Sequence, residues 1–222
     1  MPKLEMKKND KKGLLVTFCG LDGCGKSTMI KMLADDLEKN GYTVLITKQP
    51  TDEIRKTEMF RKFHDSQEHE KYDYRALSLM CAADRLQHIN EVIAPALARG
   101  DAVLCDRYYY SCLANLRARG FYEDGWIYEI SRNVTEPDIA FFFDVPVVEA
   151  VRRVRQREAE RDRYIDMQLE FRLRDEYVDI CRANGGVSVS TDRAPKESYC
   201  EVKQAVEKAL KTKIKKEGEK KK

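Results

Sequence analysis

Gly20-Leu21-Asp22-Gly23-Cys24-Gly25-Lys26-Ser27-Thr28 follows directly on the apolar run Leu14-Leu15-Val16-Thr17-Phe18-Cys19. The segment fits the spacing G-x-x-x-x-G-K-[ST]. In that loop, successive main-chain N–H groups wrap a polyphosphate and glycines admit its close approach. The uncharged run before it reads as a buried strand. Met29, Ile30, Leu33 and Leu37 after it recur at helical spacing. Strand, glycine loop and helix together form the context the motif requires, and the helix points its positive end at the same anion. The expected phosphate-binding residues are therefore Gly20, Asp22, Gly23, Cys24, Gly25, Lys26, Ser27 and Thr28. Lys26 is placed to bridge the β- and γ-phosphates, and the Ser27 hydroxyl to help hold Mg²⁺.

Outward from this loop, short apolar runs alternate with helical patterns. Further strands are expected over Tyr42–Thr47, Ala102–Cys105, Ile139–Phe143 and Val187–Ser190. Thr51–Phe63 is polar and partly helical. A long helix is expected over Tyr72–Arg99, with Ala82, Leu86, Ile89, Ile93 and Leu97 on one stripe and Pro95 as a point of kinking. Val147 to about Arg157, Gln168–Ala183 and Lys196–Leu210 also read as helices, and Gly41 and Gly100 as helix stops. The pattern predicts an α/β fold, a five-stranded parallel sheet with helices on both faces. Ligands of such sheets lie at the carboxyl ends of the strands. The P-loop, Lys48-Gln49-Pro50, Asp106-Arg107-Tyr108 and Asp144 all fall there.

Composition narrows the function classes. A chain of 222 residues suits one domain, and no apolar run is long enough to span a membrane. The lysine-rich start lacks the apolar stretch of a secretory leader. Seven scattered cysteines, an odd number without a C-x-x-C pair, point to reduced thiols in the cytoplasm. His64, His69 and His88 do not group with them at zinc-ligand spacing. Residues 1–12 carry five lysines and residues 211–222 seven, so the net charge of +3 resides in the ends. Between them stand 29 basic and 34 acidic residues. The domain is thus read as residues 13–210, flanked by lysine-rich, solvating extensions at 1–12 and 211–222. No aromatic residues interleave with those lysines, so nucleic acid is not an expected partner.

Asp106, ending an apolar strand, is expected to hold Mg²⁺ or orient an acceptor oxygen. Arg107 beside it is placed to clamp a second phosphate. The x-x-Gly that follows this aspartate in GTPases is absent, as is N-K-x-D. Residues 152–163 hold six arginines, Arg152, Arg153, Arg155, Arg157, Arg161 and Arg163, diluted by Glu158, Glu160 and Asp162. Part of this run reads as a solvated helix laced with ion pairs. The rest suits a lid, about residues 155–166, that puts cations on a moving phosphoryl group.

The chain resembles the thymidylate (dTMP) kinase family, in order, from about residue 13 to 210. The resemblance is carried by Phe18–Thr28, by Ala82-Ala83-Asp84-Arg85 with Gln87-His88 and Val92–Leu97, and by Asp106-Arg107-Tyr108 with Ser111. Glu136-Pro137-Asp138, Phe142–Val145 and Asp162-Arg163 complete it. The resemblance implies transfer of the γ-phosphoryl of ATP·Mg²⁺ to a nucleoside monophosphate in a homodimeric enzyme. It implies that Lys26, Ser27 and the loop bind ATP, that Asp22 sits near the acceptor's sugar and phosphate, and that Arg107 grips that phosphate. Arg85 would donate to the acceptor base, with Cys81 and Tyr108 in the same pocket. Because Gly23 and Cys24 leave the loop without a basic residue of its own beyond Lys26, the catalytic cation is expected from the lid, at Arg157, Arg161 or Arg163.

The acceptor side departs from the family pattern. Cys81 stands where an aromatic usually stacks on thymine, and Ala114-Asn115-Leu116 where bacterial members have alanine-tyrosine-glutamine. Lys48-Gln49-Pro50 replaces arginine-glutamate-proline. Loss of one stack weakens a base by about 1–3 kcal/mol. Two acceptors follow: dTMP, with Tyr108, Tyr109, Tyr110 or Phe121 supplying the stack, or a different or modified nucleoside monophosphate. An ATP-binding regulatory module without acceptor turnover is the alternative of another class.

Overall fold

The computed structural model describes residues 3–65 and 71–220. Strands β1 (Leu14–Cys19), β2 (Val44–Lys48), β3 (Ala102–Asp106), β4 (Ile139–Asp144) and β5 (Val187–Ser190) form one sheet, ordered β2-β3-β1-β4-β5 and parallel throughout. Every residue of β1 is buried, because helices cover both faces of the central strand. From β1 the neighbours diverge, β3 to one side and β4 to the other, which opens a crevice at the carboxyl ends. The register puts Phe18, Asp106 and Lys48 in one row at that end.

Helix α1 (Lys26–Lys39) buries Met29, Ile30, Leu33, Ala34 and Leu37, and stops at Asn40-Gly41, where Gly41 takes a φ of +81°. Two short helices, α2 (Asp52–Arg55) and α3 (Glu58–Asp65), occupy the polar segment after β2. The long helix starts at Tyr74, later than expected. Asp73 caps it by accepting the Arg75 N–H at 2.8 Å. It runs as α4 (Tyr74–His88), a π turn (Ile89–Ile93) and α5 (Ala94–Arg99). Pro95 explains the interruption. It has no N–H to donate and its ring would press on the carbonyl of Glu91, and the wider π turn relieves both.

Helices α6 (Tyr109–Ala118) and α7 (Trp126–Ser131) carry no periodic signal in the sequence. All but Asn115 and Arg117 of α6 are buried, so it lacks the polar face that makes a helix legible. Helix α8 (Val147–Arg155) leads through a 3₁₀ turn (Glu158–Glu160) to α9 (Met167–Asn184), and α10 (Pro195–Lys220) closes the chain.

The reading of residues 1–12 as a solvating extension is corrected for the part described. Leu4 is buried, and its N–H donates to Asn184 Oδ1 at 2.9 Å. Lys7 exchanges main-chain hydrogen bonds with Val134 and Glu136, and Asn9 donates to Asp138 at 2.7 Å. The segment is a strap, since one buried leucine and a row of paired amides hold it despite its lysines. Lys213, near the other end, donates to both oxygens of Asp138. Met1, Pro2, Lys221 and Lys222 of the two extensions, and His69, lie outside the described residues. Among the described residues no helix is long and apolar enough to cross a membrane.

Candidate active site

The loop between β1 and α1 has the backbone its glycines allow. Gly20, Gly23 and Gly25 all have positive φ. Gly23 is irreplaceable on two counts: its φ is +81°, and a Cβ there would stand 2.2 Å from the Ala150 carbonyl of α8. Lys26 is buried, and its ammonium donates to the Leu21 carbonyl at 2.7 Å and the Gly20 carbonyl at 3.3 Å. These bonds hold the charge at the mouth of the loop. Ser27 and Thr28 are exposed at the start of α1 and line the cavity. Cys24 is buried and contributes main chain: its sulfur is the side-chain atom nearest a Cβ at Gly20, and its carbonyl accepts from Thr191 Oγ1 at 3.0 Å.

A cavity of about 1250 Å³ lies over the carboxyl ends of the strands, more than one nucleotide fills. At its centre Asp22 takes two guanidinium groups. Arg107 Nη2 donates to Oδ1 at 2.5 Å, and Arg163 Nη2 to Oδ2 at 3.1 Å. His64 Nε2 stands 4.0 Å from Oδ2. Burial pushes the Asp22 carboxyl upward, but Arg107, Lys26, Arg163 and His64 outweigh it and hold the group well below the usual carboxylate range. Arg107 sits at φ +64°, a left-handed conformation rare outside glycine. That turn aims its side chain back at the loop, where Nη1 donates to Gly20 O at 3.2 Å and Tyr177 Oη at 3.0 Å. Burial disfavours its charge, but Asp22, Tyr177 and Asp106 raise its pKa well above the ordinary value.

On the β2 side stands Arg55, which no motif in the sequence marks. It lies in a polar helix and no spacing marks it. It lines the same cavity, donates through Nε to the Pro50 carbonyl at 2.9 Å and rests over the Phe60 ring. Among the described residues it has no carboxylate within ion-pair distance. Burial and the facing Arg107 lower its pKa, opposed by Asp22 and Asp106. Arg55 and Arg107 thus bring two guanidinium groups to the same cleft, a charge pattern that suits an anion. Arg85 is buried on α4, donating to Cys81 O at 2.9 Å and Tyr108 O at 3.4 Å. Cys81 and Cys112 line the cavity beside it. His88, one turn on, is braced by Thr47 Oγ1 and Gln49 Nε2.

Tyr108 does not belong to this wall. Its ring is fully buried and its hydroxyl donates to Thr135 O at 2.7 Å. Tyr109 and Tyr110 are buried as well, Tyr109 donating to Ile127 O at 2.9 Å. The expectation that any of the three faces the acceptor is corrected: all three rings turn into the core, and α6 shows the cavity Ser111, Cys112 and Asn115 instead. Phe121, just beyond it, does line the cavity.

The lid arginines separate. Arg163 reaches Asp22 and also donates to Glu160 at 2.9 Å, while Arg157 donates to the same carboxylate at 3.1 Å. Arg157 and Arg163 line the cavity, as do Arg152 and Arg153. Arg152 and Arg153 both pair with Glu149, whose pKa their hydrogen bonds pull down to about 2. Arg161, the third expected lid cation, is exposed and lies outside the cavity wall. The 3₁₀ turn leaves it on the solvent side, with its carbonyl bonded by Arg155. Asp106 lines the cavity, and its Oδ1 is buried without a hydrogen-bond partner. An orphaned carboxylate oxygen beside a P-loop suits a hydrated Mg²⁺, which needs few protein ligands. No cluster of three metal-ligating residues exists among the described residues.

A glycine loop on the central strand of such a sheet, a lysine over it and arginines converging from α2, β3 and the lid define a P-loop phosphotransferase. The family model for thymidylate kinase matches residues 18–206. A probable thymidylate kinase of Pyrococcus horikoshii is 38% identical over 168 residues, 72% of this chain and 80% of the relative. A thymidylate kinase of Bacillus pumilus is 31% identical over 70% of this chain and 74% of its own. One from Staphylothermus marinus, named probable thymidylate kinase, is 29% identical over 89% and 96%. The chain belongs to the thymidylate kinase family.

Proposed function

We propose that this chain moves the γ-phosphoryl group of ATP to the phosphate of dTMP, giving dTDP and ADP. The observation that carries the reading is the convergence of Lys26, Arg107 and Arg163 around Asp22 in a cavity large enough for two nucleotides. Family membership favours dTMP over another monophosphate and over a module without turnover.

Phosphoryl transfer asks for positioning and for fixed positive charge on the moving group. The P-loop amides and Lys26 hold the donor's β- and γ-phosphates. Arg107 and Arg55 hold the acceptor phosphate from the other side, which sets the two ends in line. Arg163 and Arg157 cover the gap from the lid and spread the transferred charge. Asp22, kept ionised by its cationic neighbours, fixes Arg107 and accepts from the acceptor's sugar. Mg²⁺ bound with ATP would neutralise polyphosphate charge, with the Ser27 hydroxyl and the Asp106 carboxylate as the donors that fit.

We read the protein as cytoplasmic and homodimeric. Its seven cysteines are all free thiols, six of them buried, which suits a reducing compartment. Leu79 on α4 and Val92 on the π turn are large apolar side chains left exposed.

The test is a panel of nucleoside monophosphates with ATP and Mg²⁺, followed by ADP release. dTMP is expected to be the best acceptor by a wide margin. If dCMP, dGMP or UMP serve as well, the reading fails.

A further inference from the structure

The acceptor pocket lacks an aromatic at position 81, yet an aromatic ring stands nearby. Tyr74, Ser78, Cys81 and Arg85 follow one another at helical spacing on a single face of α4, and all four line the cavity. The Tyr74 ring is half-buried, packed edge-on against Phe63 with centroids 5.2 Å apart. Arg119 also stands against it, its guanidinium carbon 3.9 Å from the ring centroid. Arg119 has no carboxylate partner among the described residues. Its orientation comes from Asn115, which accepts from Nη1 at Oδ1 (2.9 Å) and at its main-chain carbonyl (3.1 Å), and which itself donates to Ser111 O at 3.0 Å.

Two departures from the family pattern thereby become one arrangement. The small Cys81 leaves room beside the buried Arg85, and Asn115, in place of a tyrosine, steers Arg119 onto the Tyr74 ring. Burial pushes the Tyr74 phenol up to about 12, against the pull of Arg119, with the Cys81 and Cys112 thiols and Arg85 as its other electrostatic neighbours.

We propose that Tyr74, with Arg119 stacked on it, is the surface against which the acceptor's base is held, in place of the ring missing at position 81. A nucleobase presents a flat π face, and either a phenol ring or a guanidinium plane stacks on it. The inference rests on the nucleoside-monophosphate kinase reading above and specifies how that site takes its base.

The experiment compares wild type with Tyr74→Leu, Tyr74→Phe, Arg119→Ala and the pair Tyr74→Leu/Cys81→Phe. Each is assayed with dTMP and ATP varied in turn. 2-Deoxyribose 5-phosphate, which has the sugar and phosphate but no base, serves as a competitive inhibitor against dTMP. Tyr74→Leu should raise the KM for dTMP about tenfold or more, the loss of one stack. The KM for ATP and the Ki of deoxyribose 5-phosphate should stay within about twofold. Tyr74→Phe should keep the wild-type KM, and Cys81→Phe should recover most of the loss in Tyr74→Leu. Arg119→Ala should raise the KM for dTMP in the same selective way. An unchanged dTMP KM in both Tyr74→Leu and Arg119→Ala overturns the proposal. So does equal weakening of deoxyribose 5-phosphate, which would mean a role in the fold or at the phosphate. A wild type that binds dTMP calorimetrically but does not phosphorylate it overturns the proposed reaction alone.

Discussion

Asp22 is the residue on which the cationic groups of the cleft meet. Each of its oxygens takes one guanidinium, Arg107 from just beyond β3 and Arg163 from the lid. A carboxylate placed between them lets two cations share a site that mutual repulsion would otherwise open. Arg107 needs more than charge to be there. Its left-handed backbone costs about 1–2 kcal/mol in a residue with a Cβ, and strain of that kind gathers at functional sites. Arg107→Ala should raise the KM for dTMP by about 100-fold or more, the scale of a charge-assisted pair to phosphate, with the KM for ATP little changed. Steady-state kinetics with each substrate varied checks this. A larger change in the ATP term would place Arg107 on the donor. Neither Arg55 nor Tyr74 announces itself in sequence, because a lone arginine or tyrosine in a polar stretch is ordinary until the chain folds it into a cleft.

At the scale of elements, what a helix faces decides whether its sequence discloses it. Helices α1 and α9 each keep a solvent side, and their apolar spacing is plain. Helix α6 packs against α4 and α9 with all but Asn115 and Arg117 buried, and its run of tyrosines, cysteine and leucine shows no period. Tyr108–Tyr110 read as pocket aromatics in the sequence, and the fold buries all three in the core. The N-terminal strap is the reverse case: its lysines mask Leu4, which is 2% exposed. Leu4→Ala should cost about 2–5 kcal/mol, as for other buried leucines, seen as a lowered midpoint in urea or heat. An unchanged midpoint would mean that the strap contributes nothing to the fold.

For the molecule as a whole, the proposed reaction sets ATP and the acceptor on either side of the β1 loop, in the crevice that the sheet order opens. The exposed Leu79 and Val92 lie outside that cleft, so pairing of two chains through them would leave both sites open. Light scattering on the eluting protein should report twice the chain mass of 25.8 kDa. Leu79→Glu with Val92→Glu should return it to one chain, because buried like charges oppose association. A wild type that elutes at the mass of one chain contradicts the dimer.

The chain's own residues, taken in order, determined the strand–loop–helix start, the parallel sheet, the phosphate loop, and Asp106 and Arg107 at the edge of β3. These are local patterns, a glycine spacing, a run of apolar residues and a helical period, and each is complete within a few dozen positions. The folded structure alone decided which arginines reach the cleft, that Arg161 does not, that Tyr108 is core and that Leu4 is buried. It also brought Tyr74 to Arg119, forty-five positions away. Those outcomes depend on what packs against what across long stretches of chain, and no spacing within one segment encodes the partner on another.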